Sequence, residues 1–342
     1  MPLDFEMTTR LSLLSFIILL AAPQLVTESR LDAELGRVRA QIKTSVPAGE
    51  QATLVQRLDR AEAALKAGRT FQAVYLLEAA YEGAAAFAFT AASGVKSSEA
   101  FLKTWTELGS PKPRSGRPGQ VPAAIDALAE AAEDRGPATY QASRPYAEDA
   151  GVNAGLYYLG ESYAVMDFAV FVRSASWPAV GRRPTFRSIA LELAALDREM
   201  TTKYETMERA DHPTYIRASA ALKQARSLND RGAFEGALFE YLLSRYLFAP
   251  LRGPAADAKR ERLDAARASL SPAEDHSIAE LFVQFAEEVL SSDNADLRGS
   301  AAAVSVDVVP AYLAAIAPAR PTATASVTAA IVTITLVRWP FT

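Results

Sequence analysis

Apolar residues return every three or four positions along most of this chain, and a repeat of that kind winds one greasy stripe onto each of a series of helices. Leu31, Leu35, Val38 and Ile42 recur this way among Arg, Asp, Glu and Lys. Leu54, Leu58, Ala61 and Leu65 repeat the pattern, and Gly68 then supplies a stop. A third helix is expected over roughly Phe71 to Ala92, rich in alanine, apolar on most faces and ending near Gly94. The segment from Leu156 to Val172 is hydrophobic nearly all round, which suits the centre of a bundle. The fold class that follows is all-α, built of antiparallel helical hairpins. Half of the residues are apolar and 22% are charged in a chain of 342, enough to bury a large core in one or two domains.

Further helices are expected near Ala123 to Ala132, over Phe186 to Met207, Tyr215 to Asn229, Phe234 to Phe248, Ala256 to Ser269 and Ala302 to Ile316. Ser271-Pro272-Ala273-Glu274 reads as a helix start, because Ser271 can cap free amides, Pro272 loses nothing in a first turn and Glu274 can reach back. That helix should run to about Leu290. Prolines and glycines between Gly109 and Pro122 forbid regular structure. They place a linker or loop at 110–121, between N-terminal hairpins at 29–109 and a main helical domain at 122–318. Trp177-Pro178 and Arg183-Pro184 break the chain again.

The two ends have a different character. Arg10 precedes a mostly apolar run from Leu11 to Ala22, a length that suits a secretory signal and is short for a spanning helix, which needs ~20 residues. Residues 1–28 therefore read as a signal peptide or N-terminal anchor, and the chain as exported to a periplasmic or extracellular space. Asp4 and Glu6 are foreign to a signal, and a start at Met7 would remove both. Pro23 obstructs cleavage after Ala22, so an uncleaved tether through residues 11–26 stays open. In the proline- and alanine-rich tail at 319–342, Val332, Ile334 and Leu336 alternate with Thr333, Thr335 and Val337, the period of a short strand. The alternative is a membrane tether through residues 322–337.

Several chemistries are removed by composition. The net charge of -4 comes from 36 basic and 40 acidic residues mixed along the chain, so there is no clustered basic face for nucleic acid. Without cysteine there is no thiolate nucleophile, no sulfur-based zinc site and no disulfide. No phosphate loop, paired-histidine metalloprotease motif or nucleophile elbow is present, so the sequence implies no catalytic residue, metal or cofactor.

Three segments share a helix-turn-helix grammar. In Ala221 to Pro250, Ala225 and Leu228 precede a turn at Gly232, Phe234 opens the next helix, and Ala237 and Tyr241 alternate small with large on its buried face. Ala61, Gly68, Ala73, Leu77 and Ala80 keep most of this spacing, with Thr70 where an aromatic belongs and Phe71 one place late. Leu156, Leu159-Gly160 and Tyr163 look like the first helix of a third unit. This grammar resembles the tetratricopeptide family over a quarter to a third of the chain. The three frames do not fall on that family's 34-residue period, and an irregular helical bundle is the alternative. The resemblance implies a groove that binds a protein or peptide segment without catalysis.

Glu161 and Asp167 interrupt the most apolar helix, beside Tyr157, Tyr158 and Tyr163. A carboxylate among aromatic rings can hold a cation or titrate abnormally high. With Phe239 and Tyr241 these residues are the candidate binding surface. The competing readings are an extracytoplasmic small-ligand protein or enzyme centred on Glu161 and Asp167, or a membrane-tethered structural component. The two histidines, His212 and His276, offer little, although Glu280 stands one turn beyond His276.

Overall fold

A computed structural model describes residues 30–113, 121–253, 259–290 and 295–316. The expected leader at 1–28 and the expected strand at 319–342 lie outside the described residues. What is described is all-α. Helix α1 spans 30–45 and turns Leu31, Leu35, Val38 and Ile42 inward, all within 2% of complete burial. The chain then forms α2 (Ala48–Lys66), α3 (Thr70–Ala92), α4 (Ser98–Leu108), α5 (Ala123–Asp149) and α6 (Val152–Ser174). After a loop come α7 (Ala190–Tyr204), α8 (His212–Asp230), α9 (Phe234–Phe248), α10 (Arg260–Ala268), α11 (Ser277–Val289), α12 (Ala295–Ala303) and α13 (Val309–Ala315). No described helix is long and apolar enough to cross a membrane.

The hairpins α2–α3 and α8–α9 reverse through the same hydrogen-bonded turn. Arg69 N donates to Ala64 O and Gly68 N to Leu65 O; Ala233 N donates to Leu228 O and Gly232 N to Asn229 O. This pairing satisfies carbonyls that a helix end would otherwise leave bare. Gly68 and Gly232 take φ 73° and 79°, a left-handed conformation in which a Cβ is strained.

Helix α5 is the axis of the molecule, touching α6, α9, α8, α11 and α3. It runs on to Asp149, far beyond the alanine-rich stretch expected to end at Ala132, and carries Pro137 and Pro145 inside it. Packing along nearly the whole of α6 offsets the backbone bonds those prolines remove. The contact is close because its glycines leave no room for more. A Cβ on Gly155 would lie 2.4 Å from that of Ala147, and one on Gly136 2.5 Å from the Met166 sulfur. One apolar core runs from Leu31 to Ile316, uniting the hairpins on both sides of the 110–121 segment.

Three expected boundaries moved. Ser271–Glu274 does not open a helix. Its backbone is taken by a bridge to the 175–189 loop, in which Arg182 N donates to Ala273 O and Asp275 N to Arg182 O, so α11 begins at Ser277. Helix α7 starts at Ala190 rather than Phe186, because the Asn229 side chain accepts from Ile189 N at 2.9 Å and fixes the entry there. The single helix expected over Ala302 to Ile316 is a π turn, Val304–Val308, between α12 and α13. Pro310 has no amide to offer the Val306 carbonyl one turn back, and a widened turn accommodates the loss.

Candidate functional site

Glu78 and Glu82 stand one turn apart on α3, about 6 Å by helical rise, and both are buried. Arg135 of α5 faces them, and its Nη2 donates to both carboxylates, to Glu82 at 2.8 Å. Two further acids flank the pair. Glu161 of α6 lies within the field of Glu82, and Glu240 of α9 within that of Glu78. Arg135 attracts all four. Glu161 and Glu240 exert no resolved influence on one another. Glu161 and Glu82 line one cavity and Glu240 and Glu78 another, with Arg135 in both, so the carboxyls form a row of four, two on each side of one guanidinium.

The inner two are hydrogen-bonded and the outer two accept no hydrogen bond from a described residue. Glu240 is 6% exposed, and burial pushes its pKa up to about 8 against the pull of Arg135. Burial raises Glu161 as well, again opposed by Arg135. The Arg135 Nε is itself buried without an acceptor. Burial makes an anion costly whether or not it is paired, and it raises the hydrogen-bonded Glu78 and Glu82 as well, Glu82 to about 8.

Two cavities open onto this row. One, of about 750 Å³, lies between α2, α3 and α6 and is walled by Phe87, Tyr157 and Tyr158 with Glu161 and Glu82. The other, of about 540 Å³, is bounded by α3, α8 and α9 and takes in Tyr75, Phe239, Glu78 and Glu240. Arg57, Ala79 and Arg135 border both, so the two are lobes of one groove. Phe87 meets Tyr157 edge-on at 4.8 Å, and Tyr158 stacks on Tyr146 at 4.0 Å, which fixes the walls. Arg57 and Arg217 stand exposed at the rim.

Of the residues expected to bind, Tyr157, Tyr158 and Glu161 share the first lobe and Phe239 lies in the second. Three are elsewhere. Tyr163 donates its hydroxyl to the carbonyls of Leu108 and Gly109, at 2.9 and 2.7 Å, and packs with Tyr140 under α4. Asp167 is exposed near Tyr81. Tyr241 is buried on the far side of α9, where Arg245 Nη1 donates to it at 2.6 Å. Helical geometry explains the separations, since residues six apart diverge by about 120° and residues two apart by about 160°. Glu161 and Asp167 thus form no pair.

Sequence reading missed Glu78, Glu82, Arg135 and Glu240. The signal that exposed Glu161, an acid inside an apolar helix, was present in α3 and α9 as well. Only the approach of α5 places a cation among them.

Other charged groups form closed networks. Asp126, wholly buried, accepts from Arg173 Nε at 2.8 Å and from Arg183 Nη1 at 2.6 Å. Asp307 is held by Arg245 and Arg252, which keep its carboxyl below the usual range despite burial. His276 does not join Glu280. Its Nδ1 meets the Tyr312 hydroxyl at 3.1 Å while Glu280 pairs with Arg267, and His212 stacks on Tyr204. Among the described residues no three His, Asp or Glu side chains converge in a way that could hold a metal ion, the row beside Arg135 included. No protein-family model, curated protein or solved structure matches this chain.

Proposed function

We propose that this chain is an exported, non-catalytic helical binding protein whose groove receives a positively charged protein or peptide segment. The observation that carries this reading is the pair of outer carboxyls beside aromatic rings, Glu240 buried and Glu161 half-buried, neither accepting a hydrogen bond from a described residue. An arriving ammonium or guanidinium supplies the missing donor, and the faces of Tyr157, Tyr158, Tyr75 and Phe239 offer it cation–π contact as well. The rim favours a peptide over a bare amine: Arg57 and Arg217 present guanidinium donors where a peptide backbone brings carbonyl oxygens. Stacked hairpins of tetratricopeptide kind would serve such capture without catalytic residues.

The test is fluorescence anisotropy with labelled lysine- and arginine-containing, neutral and acidic peptides. Saturable binding of the basic set alone, weakened at least tenfold by Glu161→Gln combined with Glu240→Gln, is expected. Equal binding of acidic peptides would end the proposal. Export rests on the apolar run after Arg10 and is tested by fractionating cells that express the full chain; retention in the cytosol with residues 1–28 intact would remove it.

A further inference from the structure

We infer that the groove selects a segment bearing two positive charges, one for each end of the carboxyl row, rather than one. This inference rests on the reading of the groove as a site for a basic segment, and adds to it a number and a spacing. Glu161 and Glu240 are on different helices and in different lobes, and Arg135 stands between them. One cation cannot reach both. The inner carboxyls already share the Arg135 guanidinium, so a ligand charge placed at the centre of the row meets a positive group rather than a vacancy. Positions at the two ends have the opposite character: a carboxyl without a donor, an aromatic wall, and Arg135 at a distance.

Geometry sets the spacing. Glu78 and Glu82 meet one Arg135 nitrogen in the middle of the row while Glu161 and Glu240 lie in separate lobes beyond them, which sets a span of at least one helical turn, about 6 Å, between the outer sites. Alternate side chains of an extended peptide project to one side about 6.6 Å apart, so basic residues at positions i and i+2 or i and i+4 fit the span. Between them the segment crosses Ala79 of α3, a small side chain shared by both lobes that leaves room for backbone.

The groups facing the row also predict that binding releases protons. Glu78 and Glu82 of α3, Glu161 of α6 and Glu240 of α9 face Arg135 of α5. Glu50 and Arg57 of α2, Arg217 of α8, Tyr75, Tyr157 and Tyr158 complete the charged and titratable lining of the two lobes beside Arg60, which is engaged by Glu288, and Asp134 of α5 acts on Glu240 as well. A cation arriving at Glu240 while that carboxyl is protonated displaces its proton, so affinity rises with pH until Glu240 is ionised without ligand.

The experiment is isothermal titration of the full chain with three extended peptides of one length. One carries lysines at i and i+4, one a single lysine, and one a pair at i and i+1, whose side chains point to opposite sides. The expected order is i,i+4 tightest, with at least a tenfold loss for each of the others. Glu161→Gln and Glu240→Gln should each reduce the spaced peptide to the affinity of the single-lysine peptide, and should leave that peptide within about threefold. Equal affinity for one and two charges overturns the pairing while leaving the basic-segment reading in place. Binding of none of the three overturns both. A free linear diamine that binds as tightly as the spaced peptide retains the pair of sites and overturns the peptide.

Discussion

Arg135 attracts Glu240 without donating a hydrogen bond to it, and burial pushes that carboxyl up to about 8 in the wall of a groove. Between pH 4.5 and 8 the folded chain therefore keeps a proton that the unfolded chain gives up. Stability falls as pH rises through that window, and the contribution is gone above the folded pKa. Glu240→Gln should flatten the profile and make the protein more stable than the parent at pH 8, by about 2–4 kcal/mol. Urea midpoints at pH 5, 6.5 and 8 measure it. A parent whose stability rises across the window contradicts the assignment.

Removing Arg135 leaves four acids with no cation among them. Arg135→Gln is expected to lower the melting temperature strongly at pH 8 and much less at pH 5, where Glu82 and Glu240 are protonated and repulsion is relieved. Thermal unfolding followed by circular dichroism at the two pH values separates this from a loss of packing alone, which would cost the same at both.

Asp126, wholly buried, is shared by Arg173 and Arg183, which keep Glu133 and Glu235 respectively when it is gone. Asp126→Ala should cost about 2–3 kcal/mol, short of the penalty for a buried charge left with no partner. Denaturant titration against Lys103→Ala, an exposed residue of a 3.9 Å surface pair, gives the contrast, since the latter should change stability by less than about 0.5 kcal/mol.

Glycines at the helix contacts differ in what a methyl group would meet. Gly155→Ala drives a Cβ to 2.4 Å from the Cβ and 3.0 Å from the Cα of Ala147 and should destabilise the α5–α6 hairpin by about 1–3 kcal/mol. Gly83→Ala meets only the flexible end of Leu54 at 3.0 Å and should cost much less. Chemical denaturation of both variants checks the ranking.

Gly68 and Gly232 end their helices through matching bonds, so the same substitution should do the same damage at each. Gly→Ala is expected to cost about 1 kcal/mol at either site, chiefly through the left-handed backbone. A much larger loss at one of them would mean that the two hairpins are not equivalent at their turns.

The helical periodicity of Leu31, Leu35, Val38 and Ile42, and the bounds of Phe234–Phe248, were legible because a helix states its buried face within a few turns of chain. Boundaries set by distant partners were not. Asn229 decides where α7 begins, and the pairing of Arg182 with Glu274 decides where α11 does, across intervals no local pattern encodes. Three of the seven residues of the expected surface failed to assemble for a reason that was local after all, since Tyr163, Asp167 and Tyr241 stand on the wrong sides of their own helices.

Sequence by itself determined that this chain is helical, which residues of each helix turn inward, and that Glu161 sits where an acid is expensive. Tertiary structure alone decided which charges surround that acid, because charges act through space. Only the packing of α3, α5, α6 and α9 brings Glu78, Glu82, Glu161 and Glu240 around one guanidinium, and neighbours on different helices leave no periodic trace in the chain.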